Sequence, residues 1–145
     1  MAIRLQANQI QNLQQMDAVV SGPDGANRLF SVTGQCAVGG LLSVFSSGTF
    51  ATNTQTFTVL LGPVFTRQQF FRAICTASIA QTNQHIQIAP GDFRFEVLSS
   101  DADWDDESGQ VELRIETSLT ASGSGNSAAI NSLSFHVTIL AAVAA

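Results

Sequence analysis

A run of carboxylates around position 101 could bind a cation. Asp101, Asp103 and Asp105 occupy alternate positions, and Glu112 takes the twelfth place counted from Asp101, which is the ligand spacing of an EF-hand loop. The sixth place is Asp106 rather than Gly, and strand-like segments flank the loop, so a true EF-hand is not expected. The pattern makes calcium the candidate cation, and the alternative is an exposed acidic turn. The predicted ligands are Asp101, Asp103, Asp105 and Glu107.

The single tryptophan, Trp104, lies inside this acidic loop. An aromatic side chain there either packs against its own sheet or a neighbouring subunit, or serves as a platform for a sugar ring or a protein groove. We expect packing rather than glycan stacking.

A β-hairpin must position this loop. Apolar residues alternate with polar ones over residues 93–97 and again over 111–117, which is typical of strands with one buried face. If the opposite charges on the two strands face each other, Glu96 lies opposite Arg114. That register leaves all of residues 101–110 in the loop.

Strand and turn signals follow one another along most of the chain and predict an all-β fold. We expect one domain, an antiparallel β-sandwich or jelly-roll-like fold of about eight strands, over residues 21–145. Gly39-Gly40 and Asn83 mark two of the predicted turns. Outside the hairpin the predicted strands are 28–35, 41–50, 56–61, 70–80, 84–89 and 130–141.

Residues 1–20 form a predicted N-terminal arm that packs on the domain or on a neighbouring subunit. The arm begins with a short strand-like alternation at Ile3 and Leu5. Apolar residues then recur at intervals of three, at Ile10, Leu13 and Met16, and predict one or two helical turns.

Two apolar segments are candidate interfaces. The segment 70–80 carries apolar residues on both faces, so we expect it to be a central strand, with a subunit interface as the alternative. The C-terminal sequence ILAAVAA is apolar to its end and predicts docking into a groove. The predicted interface residues are Trp104, Phe70, Phe71, Arg72 and Val143.

Composition excludes several classes of partner. The chain has 145 residues, of which 45% are hydrophobic and only 12% are charged, and every basic side chain is Arg. A net charge of −5 argues against binding nucleic acid or an anionic membrane surface. The apolar runs are too short to span a membrane. The N-terminus lacks a signal-peptide-like apolar run, so we expect a cytoplasmic location or release by a route other than Sec.

No other pattern commits the chain to a reaction. Cys36 and Cys75 have no zinc-site spacing, and we expect free thiols rather than a disulfide. His85 and His136 fall on separate predicted strands. The loop at 121–128 contains GSG without the Lys and helix of a P-loop, and no GxSxG motif occurs.

These patterns favour a non-enzymatic, self-assembling structural protein without a required cofactor. A surface poor in charge and free of Lys, the usual protector of sheet edges, is typical of surfaces that other subunits cover. We expect a homo-oligomer that forms part of a fibre, appendage, shell or phage-type particle. The alternative is a lectin-like module that binds a carbohydrate or a surface receptor.

Overall fold

The computed structural model describes residues 2–23, 25–43, 50–87 and 91–143. Their only helical element is a 3-10 turn, Ala7–Gln9, and no helix in this part of the chain is long and apolar enough to cross a membrane. The strands are β1 Ala2–Arg4, β2 Ile10–Gly22, β3 Gly25–Ser43, β4 Phe50–Leu61, β5 Phe70–His85, β6 Phe93–Trp104, β7 Val111–Ser122 and β8 Ser127–Ala142.

The eight described strands form two packed four-stranded sheets, which confirms the predicted all-β sandwich. Sheet A has the order β1-β4-β7-β6, and sheet B has the order β2-β3-β8-β5. All neighbours are antiparallel except β1 and β4. Only β2–β3 and β6–β7 are neighbours in both sequence and sheet, so long-range pairing builds most of the fold.

The core lies between the sheets because every second side chain of the central strands points inward. In β7, alternate residues from Val111 to Ala121 are buried, and the residues between them are partly buried or exposed. Sheet B shows the same alternation in β3 and β8. The most deeply buried large side chains include Leu113, Ile115, Val32, Leu133 and Ile139.

The predicted hairpin forms, but its predicted register is wrong. Phe95 lies opposite Leu119, and Asp101, rather than Glu96, lies opposite Arg114. β6 continues to Trp104, so the turn is shorter than predicted, and a bulge at Leu98 adds one residue. Before the bulge the register differs from the predicted one by four residues, an even number, so the predicted buried face is nevertheless correct.

Two predicted turns are absent because long strands pass through them. Gly39-Gly40 lies within β3, where the register with β8 shifts between Ala37 and Gly40. Asn83 lies within β5, so the segments predicted as 70–80 and 84–89 largely form one strand. Residues 44–49 and 88–90 of the predicted strands and turns, and 144–145 of the tail, lie outside the described residues.

The N-terminal prediction is correct for its first residues and wrong for the rest. β1 begins the chain, and the helical turn is a single one at Ala7–Gln9. Residues 10–16 belong to β2 instead of a helix, since backbone pairing with β3 outweighs the three-residue periodicity. Asn12, with a φ of 52°, lies in the bulge that begins this pairing.

The segment 70–80 is not central, contrary to prediction. β5 is an edge strand of sheet B, paired with β8 alone within that sheet. Its inward residues, such as Ala73 and Ala77, are half-buried, whereas Ile74 on the outward face is 62% exposed.

Candidate functional site

The acidic turn after β6 is held by hydrogen bonds within itself. The Oδ2 atom of Asp105 accepts hydrogen bonds from the backbone N–H and the hydroxyl of Ser108, at 3.0 and 2.6 Å. These bonds stabilise the charged carboxylate and lower the pKa of Asp105 below its ordinary value. Gly109 closes the turn with a φ of +75°, and an added Cβ would lie 2.7 Å from Val64. The Asp105 carboxylate therefore orders the turn.

The predicted calcium ligands do not converge in the structure. Asp101 and Asp103 lie on the outer face of β6, opposite Arg114 and Glu112. The Asp103 carboxylate accepts a hydrogen bond from the backbone N–H of Trp104, while Glu107 is exposed in the turn. Among the described residues, no three His, Cys, Asp or Glu side chains are placed to hold a metal ion.

Trp104 joins two loops to the core. Its indole Nε1 donates to the carbonyl oxygens of Phe65 and Gly109, at 3.0 and 3.1 Å. The ring is half-buried and packs against the hydrophobic core. The polar atom that an aromatic platform would present to a ligand is thus bonded within the chain.

The other predicted interface residues lie at the end of sheet B where β5 begins and β8 ends. Phe71 is 52% exposed in a bulge of β5, and Arg72 follows it on the outward face. Val143, 44% exposed, comes directly after β8, whose last residues lie beside the start of β5. Phe70 instead packs against the core.

An ion pair that the sequence patterns did not reveal lies at this end as well. Arg28 of β3 donates from Nε and Nη2 to both carboxylate oxygens of Asp17 of β2, at 2.6 to 3.2 Å. This hydrogen bonding lowers the pKa of Asp17. The Arg28 guanidinium also lies 5.3 Å from the ring centre of Phe65, which is buried. Both formal charges on the described parts of β2 and β3 are thereby paired with each other.

The outer face of sheet A is highly charged. Strand register places acidic and basic side chains in neighbouring rows across β1, β7 and β6. Arg4 forms an ion pair with Glu112 on this face. β4 contributes four threonines, Phe50 and Leu60 to this face. The charged side chains of the face are Arg4, Arg94, Glu96, Asp101, Asp103, Glu112, Arg114 and Glu116.

The outer face of sheet B carries a single formal charge. Among the strand residues described there, only Arg72 is an Asp, Glu, Lys or Arg. One row across the sheet runs Met16, Ser31, Thr138 and Ile74, with Met16 65% and Ile74 62% exposed. The adjacent row places Ala18, Leu29, Leu140 and Arg72 side by side. We call these two rows, in which five apolar side chains lie beside Ser31, Thr138 and Arg72, the apolar rows of sheet B.

His136 forms the polar centre of this face. Its Nε2 atom lies 3.0 Å from the Ser31 hydroxyl and 3.1 Å from the Thr138 hydroxyl. A serine within hydrogen-bond distance of a histidine is part of a nucleophile–base arrangement. Here the row neighbours of His136 are Thr33 and Thr76, both exposed and uncharged. The two depressions that His136 lines measure about 70 and 220 Å³, which is below the roughly 300 Å³ of a typical small-molecule pocket.

A cavity lies on sheet A at the opposite end from Trp104. It measures about 570 Å³ and is open to solvent. Phe50, which is 66% exposed, forms one wall, and Arg94 of β6 forms another. None of the residues predicted from the sequence as ligands or interface positions lines it.

No protein-family model matches this chain, and no curated protein or solved structure matches it either.

Proposed function

We propose that this protein is a non-enzymatic structural subunit that assembles with copies of itself through the outer face of sheet B. The observation that carries the proposal is the difference between the two outer faces. Sheet A exposes a dense set of charges, whereas sheet B exposes the apolar rows and one arginine.

Burial of the apolar rows supplies the driving force for assembly. Fully burying a side chain such as Ile74 or Met16, both more than half exposed, contributes roughly 1.5–3 kcal/mol each. Covering the outer face of sheet B desolvates one formal charge among its described strand residues, Arg72, whereas covering the outer face of sheet A would desolvate eight. Phe71 and Val143 extend the exposed apolar surface toward one end of β5.

The charged face of sheet A has the complementary role of remaining in solvent. Copies that each carry a net charge of −5 repel one another wherever that charge is exposed. Contact through sheet B keeps the carboxylates of sheet A apart and leaves them hydrated. The same charges then keep the assembled particle soluble.

Light scattering after size exclusion, in calcium and then in EDTA, tests the proposal. We expect a mass of several chains that does not change with chelation. The variant Ile74→Arg places a charge in the apolar rows and should reduce the mass. Thr54→Arg, at an exposed position of sheet A, is the matched control and should not. A wild-type monomer in both buffers, or equal effects of the two variants, would refute the proposal.

The alternative of a lectin-like module depends on Trp104. Since the indole N–H already bonds to two carbonyls of the same chain, its position favours a structural role for that residue. The contrast between the two faces supports assembly more strongly than glycan binding.

A further inference from the structure

We propose that strand β2 pairs antiparallel with β2 of a second copy about a twofold axis beside Ala18. The inference rests on the proposed self-assembly and specifies one of its contacts. It joins two copies of sheet B edge to edge into one eight-stranded sheet, and the occupant of the edge is the chain itself.

The first observation is that β2 is an uncovered edge strand. It has 13 residues, and apart from Ile10 and Ala18, which are half-buried, all are exposed. Met16 on the outer face and Val19 on the inner face are 65% and 64% exposed. β3 is the only described element against which β2 makes an extensive contact. Since a strand hydrogen-bonds through both edges, the edge of β2 away from β3 presents N–H and C=O groups to any added strand.

The second observation is that the other sheet edges are less open. β5 and β6, the edge strands on the opposite side of the sandwich, lie against each other, and the Cys75 thiol forms a hydrogen bond with Ser100 there. β1 has only three residues. β1 covers the outer edge of β4 only over Thr56–Thr58. Among the described strands, β2 nevertheless has the longest edge that no other strand covers, and it contains neither Lys nor Pro, the usual edge protectors.

Charge favours a second copy as the occupant. The described residues of β2 and β3 contain one carboxylate and one guanidinium, Asp17 and Arg28, which pair with each other. In a chain with a net charge of −5, this hairpin is a nearly neutral surface where two acidic copies can approach. A basic partner would find better electrostatic complementarity on sheet A.

The sequence of β2 limits the register of the pair. Side chains on the outer face of one β2 strand must lie beside side chains on the outer face of the other. The twofold axis therefore passes beside one residue rather than between two neighbouring residues. A centre at Asp17 would place two carboxylates opposite each other. A centre at Ala18 places Met16 opposite Val20 of the second copy on the outer face and Asp17 opposite Val19 on the inner face. This register pairs the nine residues from Gln14 to Gly22 of one copy with the same nine residues of the second copy, in reverse order.

This pairing extends the surface of the proposed function. Edge-to-edge addition brings the apolar rows of two copies into one plane, because Met16 and Ala18 lie at the end of each row beside the axis. The resulting dimer offers twice the area of this weakly charged face for packing onto another dimer. The backbone N–H and C=O groups along the outer edge of β2 also become hydrogen-bonded in this pair, which limits uncontrolled addition of further strands.

Cross-linking tests the register. In a Cys75→Ser background, Ala18→Cys places two thiols directly opposite each other, roughly 5 Å apart between Cβ atoms. A short bis-maleimide should join them in dilute solution. Gln14→Cys is the control, because its two copies would lie about 27 Å apart along the ribbon. If the bis-maleimide links the Gln14→Cys variant instead of the Ala18→Cys variant, or links neither, the proposed register is wrong.

Charge substitutions at Val19 provide a second test that leaves the outer face unchanged. Val19→Asp would face Asp17 of the second copy on both sides of the axis, and we expect the dimer to weaken at least about tenfold. Val19→Lys would face the same carboxylates, although it also lies opposite Arg28 of its own chain, and should weaken the dimer much less than Val19→Asp. Far-UV circular dichroism checks that both variants fold. Equal weakening by both variants, or weakening by neither, contradicts the proposed pairing.

The two proposals fail in different ways. If Ile74→Arg reduces the assembly to a dimer that still cross-links at Ala18, both proposals are supported. A large wild-type assembly without the Ala18 link refutes the β2 pairing and leaves self-assembly intact. A linked dimer that never grows supports the pairing and refutes assembly through the apolar rows. A monomer without the link refutes both.

Discussion

Replacement of Trp104 by Phe tests whether this residue is a structural link between loops. The substitution keeps an aromatic ring but removes the indole N–H, which bonds to the carbonyl oxygens of Phe65 and Gly109. The variant therefore removes the two hydrogen bonds and keeps most of the packing of the aromatic ring.

The expected change in the free energy of unfolding depends on which hydrogen bonds each carbonyl oxygen keeps. Gly109 O still accepts a hydrogen bond from the backbone N–H of Phe65 at 2.8 Å, so its loss is small, about 0.5 kcal/mol. Phe65 O belongs to a residue that is only 2% exposed, and loss of its Trp104 donor costs about 1–3 kcal/mol. Because the phenyl ring is smaller than the indole ring, it leaves a cavity that costs about 1 kcal/mol. We expect Trp104→Phe to lower the free energy of unfolding by about 2.5–4.5 kcal/mol.

Urea unfolding followed by far-UV circular dichroism measures this change without relying on tryptophan fluorescence. Phe71→Leu is the control, since that side chain is 52% exposed and its replacement should change the free energy by less than about 0.5 kcal/mol. A change for Trp104→Phe as small as that of the control would refute the linking role.

Two further predictions concern packing and pH. Gly34→Ala should cost about 1–3 kcal/mol in thermal or urea unfolding, because the new Cβ would lie 2.9 Å from the ring of Phe135; no loss of stability would show that the ring is not held there. Arg28→Gln should raise the pKa of Asp17 toward its ordinary value, as measured by NMR titration of the carboxyl group. Because the folded pKa is the lower one, the ion pair stabilises the protein above about pH 4 and that stabilisation is lost as the pH falls through the folded pKa. An unchanged pKa in the variant would contradict the assignment.

The sequence alone was sufficient for the fold class and for the buried faces. Alternation at Phe93 and Phe95 and again from Val111 identified both strands of the hairpin, since period-two patterning reflects burial directly. The register could not be found in the same way. Opposite charges on exposed faces contribute little, and the turn formed by Asp105 and Ser108 decided the pairing instead.

The candidate site was less predictable because it depends on which strands lie at edges. Apolar residues on both faces of 70–80 were interpreted as a central strand, whereas the exposed Ile74 belongs to the outer face of an edge strand. Met16 fell in a segment predicted as helix. Met16, Ala18 and Val20 recur at every second position, as in a strand, but Val19 between them is also apolar, and only the order of strands in sheet B shows that this strand is an edge.

The order of strands in sheet B also sets a condition on synthesis. β3 and β5 are separated by β8, and β3 pairs with β8 across about a hundred residues of sequence, for example Val32 with Val137. On the ribosome, β3 and β5 emerge long before the strand that joins them. Both strands then keep an unpaired edge until β8 has been synthesised. Folding of sheet B is consequently slow for the length of these strands, and aggregation competes with the arrival of the sixteen-residue strand β8.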